Sequence, residues 1–242
     1  MPDRRNPAAS RLWRRHRTVA AVAQMVALVM MFNAALGTAA ANAQAVAAKP
    51  LRIVAFGDSL TAGYQLNPSD AFPAQLERAL RAKGHAVEVI NAGVSGDTTA
   101  AALERLAWSV PEGVDAAIVE LGANDALRGL DPDRARANLD TIIATFRRAN
   151  ADVLIAGMTA PGNYGPDYAA KFGAMFPDLA AKHGALLYPF FLDGVALRPK
   201  LSLADGLHPN APGVAEIVRR ILPSVEQLIG RAEARRAAKQ GG

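Results

Sequence analysis

From Leu51 onward, short apolar runs alternate with longer segments in which apolar residues recur with a helical period. The apolar runs predict five strands, near 52–56, 86–91, 116–121, 153–158 and 186–188, and their continuous apolar character is typical of strands buried on both faces. The segments between them predict helices at about 71–82, 98–108, 132–149 and 168–182, with a last helix at about 211–229. This alternation predicts an α/β fold, a three-layer sandwich whose five-stranded parallel sheet has a flavodoxin-like strand order.

The first 43 residues have a different pattern. An Arg-rich start is followed by an apolar stretch from Val19 to Leu36 and then by Ala41-Asn42-Ala43. This order predicts an export signal, residues 1–43, that is cleaved to leave no stable membrane anchor, so the protein is expected to be periplasmic or secreted. The alternative is an uncleaved anchor, because the apolar stretch is close to the length that spans a bilayer, although Gln24 and Asn33 interrupt it.

The formal net charge of +5 comes from this first segment. Residues 1–43 hold six of the 27 basic and one of the 22 acidic residues, which leaves 21 of each in the remainder. The charge therefore gives no reason to expect a nucleic-acid partner. We interpret residues 44–229 as one domain and 230–242 as a basic polar tail that continues as a frayed helix end. The sequence contains no cysteine, which excludes disulfides and a thiol nucleophile.

Ligands of open parallel sheets bind beyond the carboxyl ends of the strands, where this chain carries unusual polar residues. Ser59 follows the first predicted strand, and a serine there is usually only a helix cap unless a base activates its hydroxyl. His208 is a candidate base, because Asp205 precedes it by three residues in a loop and can accept a hydrogen bond from its Nδ1–H. These three residues are the candidate catalytic residues.

An acyl-transfer enzyme must also stabilise the oxyanion of its tetrahedral intermediate. The backbone N–H of Ser59 is one candidate donor, and the side-chain amide of Asn124 beyond the third strand is another. A glycine after the second strand can supply a further backbone N–H, but Gly93 and Gly96 both stand there, and either can be a turn glycine. The strand-end argument does not choose between them.

Four segments, "FGDSLTAGY", "NAGVSGDTT", "LGANDALRG" and "DGLHPN", resemble the four sequence blocks of the GDSL, or SGNH, hydrolases. Two further segments, "GNYGPDY" and "YPFFLDGV", resemble the periplasmic branch of that family, which includes arylesterases, acyl-CoA thioesterases and lysophospholipases. The resemblance implies that Ser59 is the nucleophile, His208 the base and Asp205 its orienting partner. It also implies that Gly96 and Asn124 join Ser59 in the oxyanion hole.

The same resemblance implies hydrolysis of small-molecule carboxylic esters and acyl thioesters through an acyl-enzyme, without a metal or cofactor. One departure is visible, since Ala123 stands where the close branch usually has glycine. Its methyl group adjoins the oxyanion residue Asn124, so it is expected to shift the oxyanion geometry or to narrow the acyl entrance.

Two segments are candidates for substrate contact. The turn-rich stretch from Thr159 to Tyr168 predicts a loop over the crevice, with Asn163 and Tyr164 as its candidate substrate-binding residues. Phe190 and Phe191 are candidates for lining an acyl groove, although an apolar run after a strand is more often plain core.

Three other functions compete with this interpretation. A metal-dependent hydrolase is poorly supported, because the sequence has no HExxH and no histidine pair at i and i+4. A flavodoxin-like module that binds a phosphate or flavin lacks GxxxxGK[ST] and GxGxxG. A carbohydrate O-acetyl esterase of the same family is the alternative enzyme, and chain-length preference separates it from a lipid-like esterase.

Overall fold

The computed structural model describes residues 49–241, which form an α/β sandwich around one parallel sheet. Its five strands are β1 (Leu51–Gly57), β2 (Val87–Gly93), β3 (Ala116–Glu120), β4 (Asp152–Ala156) and β5 (Leu186–Tyr188), in the order β2-β1-β3-β4-β5. The predicted fold class and strand order are thus confirmed. The predicted export signal lies outside the described residues.

Helices cover both faces of the sheet. They are α1 (Ser59–Ala62), α2 (Phe72–Ala82), α3 (Thr99–Ser109), α4 (Ala123–Leu127), α5 (Pro132–Arg148), α6 (Pro166–His183) and α7 (Ala211–Gln240). Helices α2 and α7 pack together on one face, while α3, α5 and α6 pack side by side on the other. Within residues 49–241, no helix combines the length and the apolar character needed to cross a bilayer.

The register of the central strands sets where the functional residues meet. Gly57 at the end of β1 lies opposite Gly93 of β2 on one side and Glu120 of β3 on the other. The segments that follow these three strands therefore leave the sheet at one edge, at the point where the strand order reverses, which is where ligands bind in open α/β sheets. Strands β3 and β4 are buried at every position, so this edge rests on a rigid core.

The last helix is longer than predicted. It does not end near Ile229 but continues to Gln240, through most of the segment that we expected to fray. Ala232 is fully buried, and two arginines of this extension form ion pairs with the start of the sheet, Arg235 with Asp152 and Arg236 with Asp115. Although partial burial acts in the opposite direction, hydrogen bonding from Arg236 holds the pKa of Asp115 below its ordinary value. These contacts stabilise a segment whose polar composition alone predicted a free end.

Candidate active site

The turn after β1 places Ser59 at the carboxyl edge of the sheet. Asp58 caps α1 by accepting a hydrogen bond from the backbone N–H of Leu60 at 3.0 Å, and Ser59 is the first helical residue. The first backbone N–H groups of a helix have no acceptor within it, so the Ser59 N–H is available to a ligand. The turn requires glycine at position 57, because a Cβ there would lie 2.2 Å from Thr61 Oγ1.

Ser59, His208 and Asp205 form a continuous hydrogen-bonded chain. Nε2 of His208 lies 2.9 Å from Oγ of Ser59, and Nδ1 of His208 lies 2.7 Å from Oδ2 of Asp205. Oδ1 of Asp205 accepts the backbone N–H groups of Leu207 and His208 at 2.9 and 3.0 Å. Hydrogen bonding from the His208 and Leu207 backbone lowers the pKa of Asp205 to about 2, so it is ionised at neutral pH. An ionised Asp205 holds the proton of a neutral imidazole on Nδ1 and leaves Nε2 to face the serine.

An aromatic ring covers the imidazole. The ring of Tyr64 lies 4.5 Å from that of His208, centroid to centroid, at an interplanar angle of 37°. Sequence reasoning did not single out Tyr64, although the "FGDSLTAGY" block ends on it. Its contact restrains the rotation of the His208 ring.

Asn124 lies on α4, directly beyond β3. Its Nδ2 donates to Oδ2 of Asp58 at 3.2 Å, which uses one of its two amide protons, and its side chain also borders the cavity beside Ser59. The next residue, Asp125, is buried and accepts hydrogen bonds from both N and Oγ1 of Thr99, at 2.8 and 2.7 Å. The helix that carries Asn124 is thereby fixed to the start of α3.

The structure distinguishes the two glycines after β2. A Cβ on Gly93 would lie 2.4 Å from the backbone N of Ala62 and 2.9 Å from the carbonyl O of Asp58, so Gly93 is needed for close packing of β2 against α1. Gly96 has φ +88°, and a Cβ there would meet no atom within 4 Å. Gly96 thus stands in an open turn, where its backbone remains accessible to a ligand.

Two buried carboxyl groups, of Asp58 and Glu120, lie at the turn that carries Ser59. Glu120 is fully buried, its Oε2 lies 2.8 Å from Oγ1 of Thr61, and its Oε1 has no hydrogen-bond partner among the described residues. Burial, together with the nearby charge of Asp58, raises the pKa of Glu120 well above its ordinary value. Burial also raises the pKa of Asp58 to about 6, against hydrogen bonds from Leu60 and Asn124 that lower it. The sequence pattern did not reveal this pair, since Glu120 occupies the end of an otherwise apolar strand.

The raised pKa of Asp58 predicts a pH-dependent stability. Between its ordinary value of 3.8 and about 6, the folded state binds more protons than the unfolded state, so the free energy of unfolding falls as pH rises through this window. In Asp58→Asn this fall should be reduced, by up to about 3 kcal/mol for a shift of roughly two pKa units. Denaturant unfolding at pH 4, 5, 6 and 7 measures the free energy of unfolding of both proteins, and Asp178→Asn, at an exposed position, is the control. An unchanged pH slope in Asp58→Asn would contradict the prediction.

A small apolar cavity opens beside the serine. Its volume is about 150 Å³, and Ser59, Asn124 and His208 form part of its wall. Most of the remaining lining is apolar and comes from five segments of the chain: Leu60, Ala123, Ala126, Leu127, Met158, Pro161, Phe190, Leu192 and Leu207. Across residues 49–241, no three His, Asp or Glu side chains are grouped as metal ligands.

The candidate substrate-binding residues have different positions. Phe190 lines the cavity beside Ser59. Phe191 does not line it, because it is fully buried and packs edge-on against Phe72, with the ring centroids 5.0 Å apart. Asn163 and Tyr164 lie outside the cavity wall, in a 3₁₀ turn, and Tyr164 reaches the cavity only indirectly by donating to the carbonyl O of Leu127 at 3.0 Å.

A serine linked through histidine to aspartate, beside an apolar cavity, is the arrangement of a serine hydrolase. Residues 55–215 match the model of the GDSL-like lipase/acylhydrolase family. The chain therefore belongs to this family, as the sequence blocks predicted, and the predicted class of enzyme, a hydrolase of ester bonds, is confirmed.

Individual relatives agree with this assignment. An arylesterase of Vibrio mimicus is 38% identical over 175 residues, which cover 71% of this chain and 88% of that protein. The thioesterase 1/protease 1/lysophospholipase L1 of Escherichia coli K12 is 39% identical over 168 residues, 69% of this chain and 78% of that protein. The crystal structure of AlinE4, an SGNH-hydrolase family esterase, is 48% identical, with a TM-score of 0.63 over 74% of this chain and 96% of that one.

Proposed function

We propose that this protein hydrolyses carboxylic esters and acyl thioesters through an acyl-enzyme formed on Ser59. The observation that carries the proposal is the chain of two short contacts, 2.9 Å from Ser59 Oγ to His208 Nε2 and 2.7 Å from His208 Nδ1 to Asp205 Oδ2, at the mouth of an apolar cavity. A hydroxyl needs such a base to act as a nucleophile at neutral pH.

Acylation follows from this geometry. His208 takes the proton of Ser59 as Oγ attacks the carbonyl carbon, and the carboxylate of Asp205 stabilises the imidazolium that forms. The oxyanion is held by the backbone N–H groups of Ser59 and Gly96 and by the amide proton of Asn124 that Asp58 does not use. His208 then gives its proton to the departing alcohol or thiol.

Deacylation repeats the sequence with water. His208 removes a proton from a water molecule that attacks the acyl carbon, and the collapse of the second tetrahedral intermediate releases the acid and restores the Ser59 hydroxyl. Besides the substrate and this water molecule, the proposed steps use only residues of the chain.

The cavity supports an acyl chain as the part of the substrate that is bound. Its lining is mainly apolar, and its volume of about 150 Å³ is similar to that of an apolar protein cavity that holds benzene, a group of six carbons. Short and medium acyl groups fit this description. Leu127, Met158 and Phe190 form walls, and the methyl group of Ala123 lies beside Asn124 in the same cavity.

We also propose that the enzyme acts outside the cytoplasm. The support comes from the sequence, in which residues 1–43 have the order of an export signal. Mass spectrometry of the protein isolated from its host would give the mature N-terminus, expected at Gln44.

A substrate panel tests the activity. We expect the mature protein to hydrolyse aryl esters and acyl-CoA thioesters of graded chain length, with the highest kcat/KM at short and medium chains, because longer chains exceed the cavity. Ser59→Ala is the blank, since it removes the nucleophile and leaves the cavity almost unchanged. Lysophospholipids and an O-acetylated oligosaccharide complete the panel.

The outcomes of this panel are distinct. Hydrolysis in Ser59→Ala at the rate of the unaltered protein would refute the mechanism. Preference for the acetylated oligosaccharide, with no activity on longer acyl chains, would replace the proposed substrate class by the carbohydrate O-acetyl esterase alternative.

A further inference from the structure

Two arginines connect the segments that carry the proposed oxyanion donors. We infer that Arg105 and Arg128 are positioning residues for the oxyanion hole, which hold the Ser59 turn, the Gly96 loop and the Asn124 helix in fixed relation. The inference rests on the proposed function, and it concerns side chains that do not themselves line the cavity.

Arg105 joins the first two segments. It lies on α3 and is 5% exposed, its Nη2 donates to the carbonyl O of Gly57 at 2.9 Å, and its Nε lies 2.5 Å from Oδ2 of Asp97. Gly57 stands two residues before Ser59, and Asp97 directly follows Gly96. One guanidinium therefore bridges the chain just before the nucleophile and the chain just after the oxyanion glycine.

The remaining contacts fix the guanidinium itself. Its Cζ lies 4.3 Å from the ring centroid of Phe56, and its Nη1 donates to Oγ of Ser109 at 3.1 Å. A buried charge is costly unless it is paired and hydrogen-bonded, and here the pairing partner is Asp97. The planar fork of arginine can serve two acceptors in different directions at once, which a lysine ammonium at this site cannot do with the same geometry.

Arg128 joins the second and third segments. It caps the carboxyl end of α4, four residues after Asn124, and its Nη2 donates to the carbonyl O of Gly96 at 2.9 Å. Unlike Arg105 it is solvent-exposed, and none of the ion pairs found within residues 49–241 involves it. The one hydrogen bond described for its side chain is thus made to the backbone of the Gly96 loop.

The two contacts together relate three loops from three different strands. An oxyanion hole works only when its donors lie at hydrogen-bond distance from one developing negative charge. A misplacement of about 1 Å can cost about 100-fold in rate. Gly96 has a positive φ in an open turn, so neither a side chain nor close packing at that residue holds it in place. The arginine contacts supply that restraint.

Arg128 gives the cleaner test because it is exposed. We compare Arg128→Met, which removes the donor, with Arg128→Lys, which keeps one, and use Arg136→Met as control. Arg136 is also exposed but pairs with Asp178, between α5 and α6. The measurements are kcat and KM for an aryl ester, and the inhibition constant of an alkyl boronic acid, which forms a tetrahedral adduct with a serine hydroxyl.

For Arg128→Met we expect kcat to fall about tenfold with KM changed less than about twofold, because the lost restraint matters mainly in the transition state. The boronic acid should bind more weakly by a similar factor. Arg128→Lys should recover most of both losses, and Arg136→Met should leave both values unchanged.

Arg105 is tested in a variant in which its ion-pair partner Asp97 is neutralised at the same time. In the double variant Arg105→Met with Asp97→Asn no buried charge remains unpaired, and assays well below its measured unfolding temperature separate activity from stability. We expect a loss of kcat and of boronic acid affinity at least as large as in Arg128→Met. The single variant Arg105→Lys keeps the positive charge beside Asp97, but we expect its kcat to be reduced as well.

The inference is overturned if folded Arg128→Met keeps the kcat and boronic acid affinity of the control. It is equally overturned if Arg128→Met changes both KM and kcat and Arg128→Lys restores neither. These results are distinguishable from a failure of the proposed mechanism, which is refuted if Ser59→Ala hydrolyses the ester at the rate of the unaltered protein.

Discussion

Replacing His208 with alanine is expected to lower kcat by about 10⁴- to 10⁶-fold without unfolding the protein. In the proposed mechanism His208 serves as base in both acylation and deacylation and as acid for the leaving group, so no step of the reaction avoids it. Its only polar side-chain contacts in the described structure are those to Ser59 and Asp205, and it lies in a loop at the edge of the cavity. The fold therefore loses little when the ring is removed.

The same experiment separates the role of Asp205. Because Asp205 orients and stabilises the imidazole but transfers no proton in the proposed mechanism, Asp205→Ala should lower kcat less, by about 10³- to 10⁴-fold. His85→Ala is the matched control, because His85 stands just before β2, at the edge of the sheet opposite Ser59, and contacts Glu226, so kcat should remain unchanged. Initial rates with an aryl ester and far-UV circular dichroism give the two readouts. More than about 1% of the original kcat in folded His208→Ala would contradict the assigned role.

The second large effect concerns stability. Gly93→Ala is expected to lower the free energy of unfolding by about 3 kcal/mol, because overpacking of a rigid site commonly costs 1–3 kcal/mol and occasionally more. All three atoms nearest to the new Cβ, at 2.4, 2.8 and 2.9 Å, belong to the backbone of Ala62 and Asp58. No side chain can rotate away, so β2 and α1 must separate.

Gly96→Ala is the matched comparison. It meets no atom within 4 Å and is strained only by φ +88°, which costs a residue with a Cβ about 1–2 kcal/mol. Its main effect should be on kcat, about tenfold or more, because relief of the strain moves a proposed oxyanion donor. Denaturant unfolding and initial rates of both variants test the pair. A larger loss of stability in Gly96→Ala than in Gly93→Ala would contradict the distinction between the two glycines.

The sequence predicted the strands and the strand order because buried parallel strands leave continuous apolar runs, and it predicted Ser59, Asp205 and His208 because they stand in short, dense motifs. It did not reveal Arg105, although this arginine occupies the position expected for an apolar residue between the buried Ala102 and Leu106 of α3. A charge at a core position of a helix was the available signal.

Other differences arise from long-range contacts. The sequence predicts an end of α7 that is too early, because the last turns of this helix are stabilised by acidic residues more than 80 positions away along the chain, Asp115 and Asp152. Phe190 and Phe191 are chemically alike, and only the path of the backbone after β5 decides which one faces the cavity. No local pattern distinguishes them.

The extension of α7 brings together the two ends of the part of the chain that the structure describes. Arg236 donates to the carbonyl oxygens of Lys49 and Pro50, at 2.9 and 3.0 Å, so the first and last described segments meet at the amino edge of the sheet, opposite the serine. Neighbouring termini are what circular permutation requires. A short peptide joining residue 241 to residue 49 would close the chain there, and new ends could be opened in surface loops elsewhere. A protein fused after residue 241 would likewise lie near the edge of the sheet that is remote from the cavity beside Ser59.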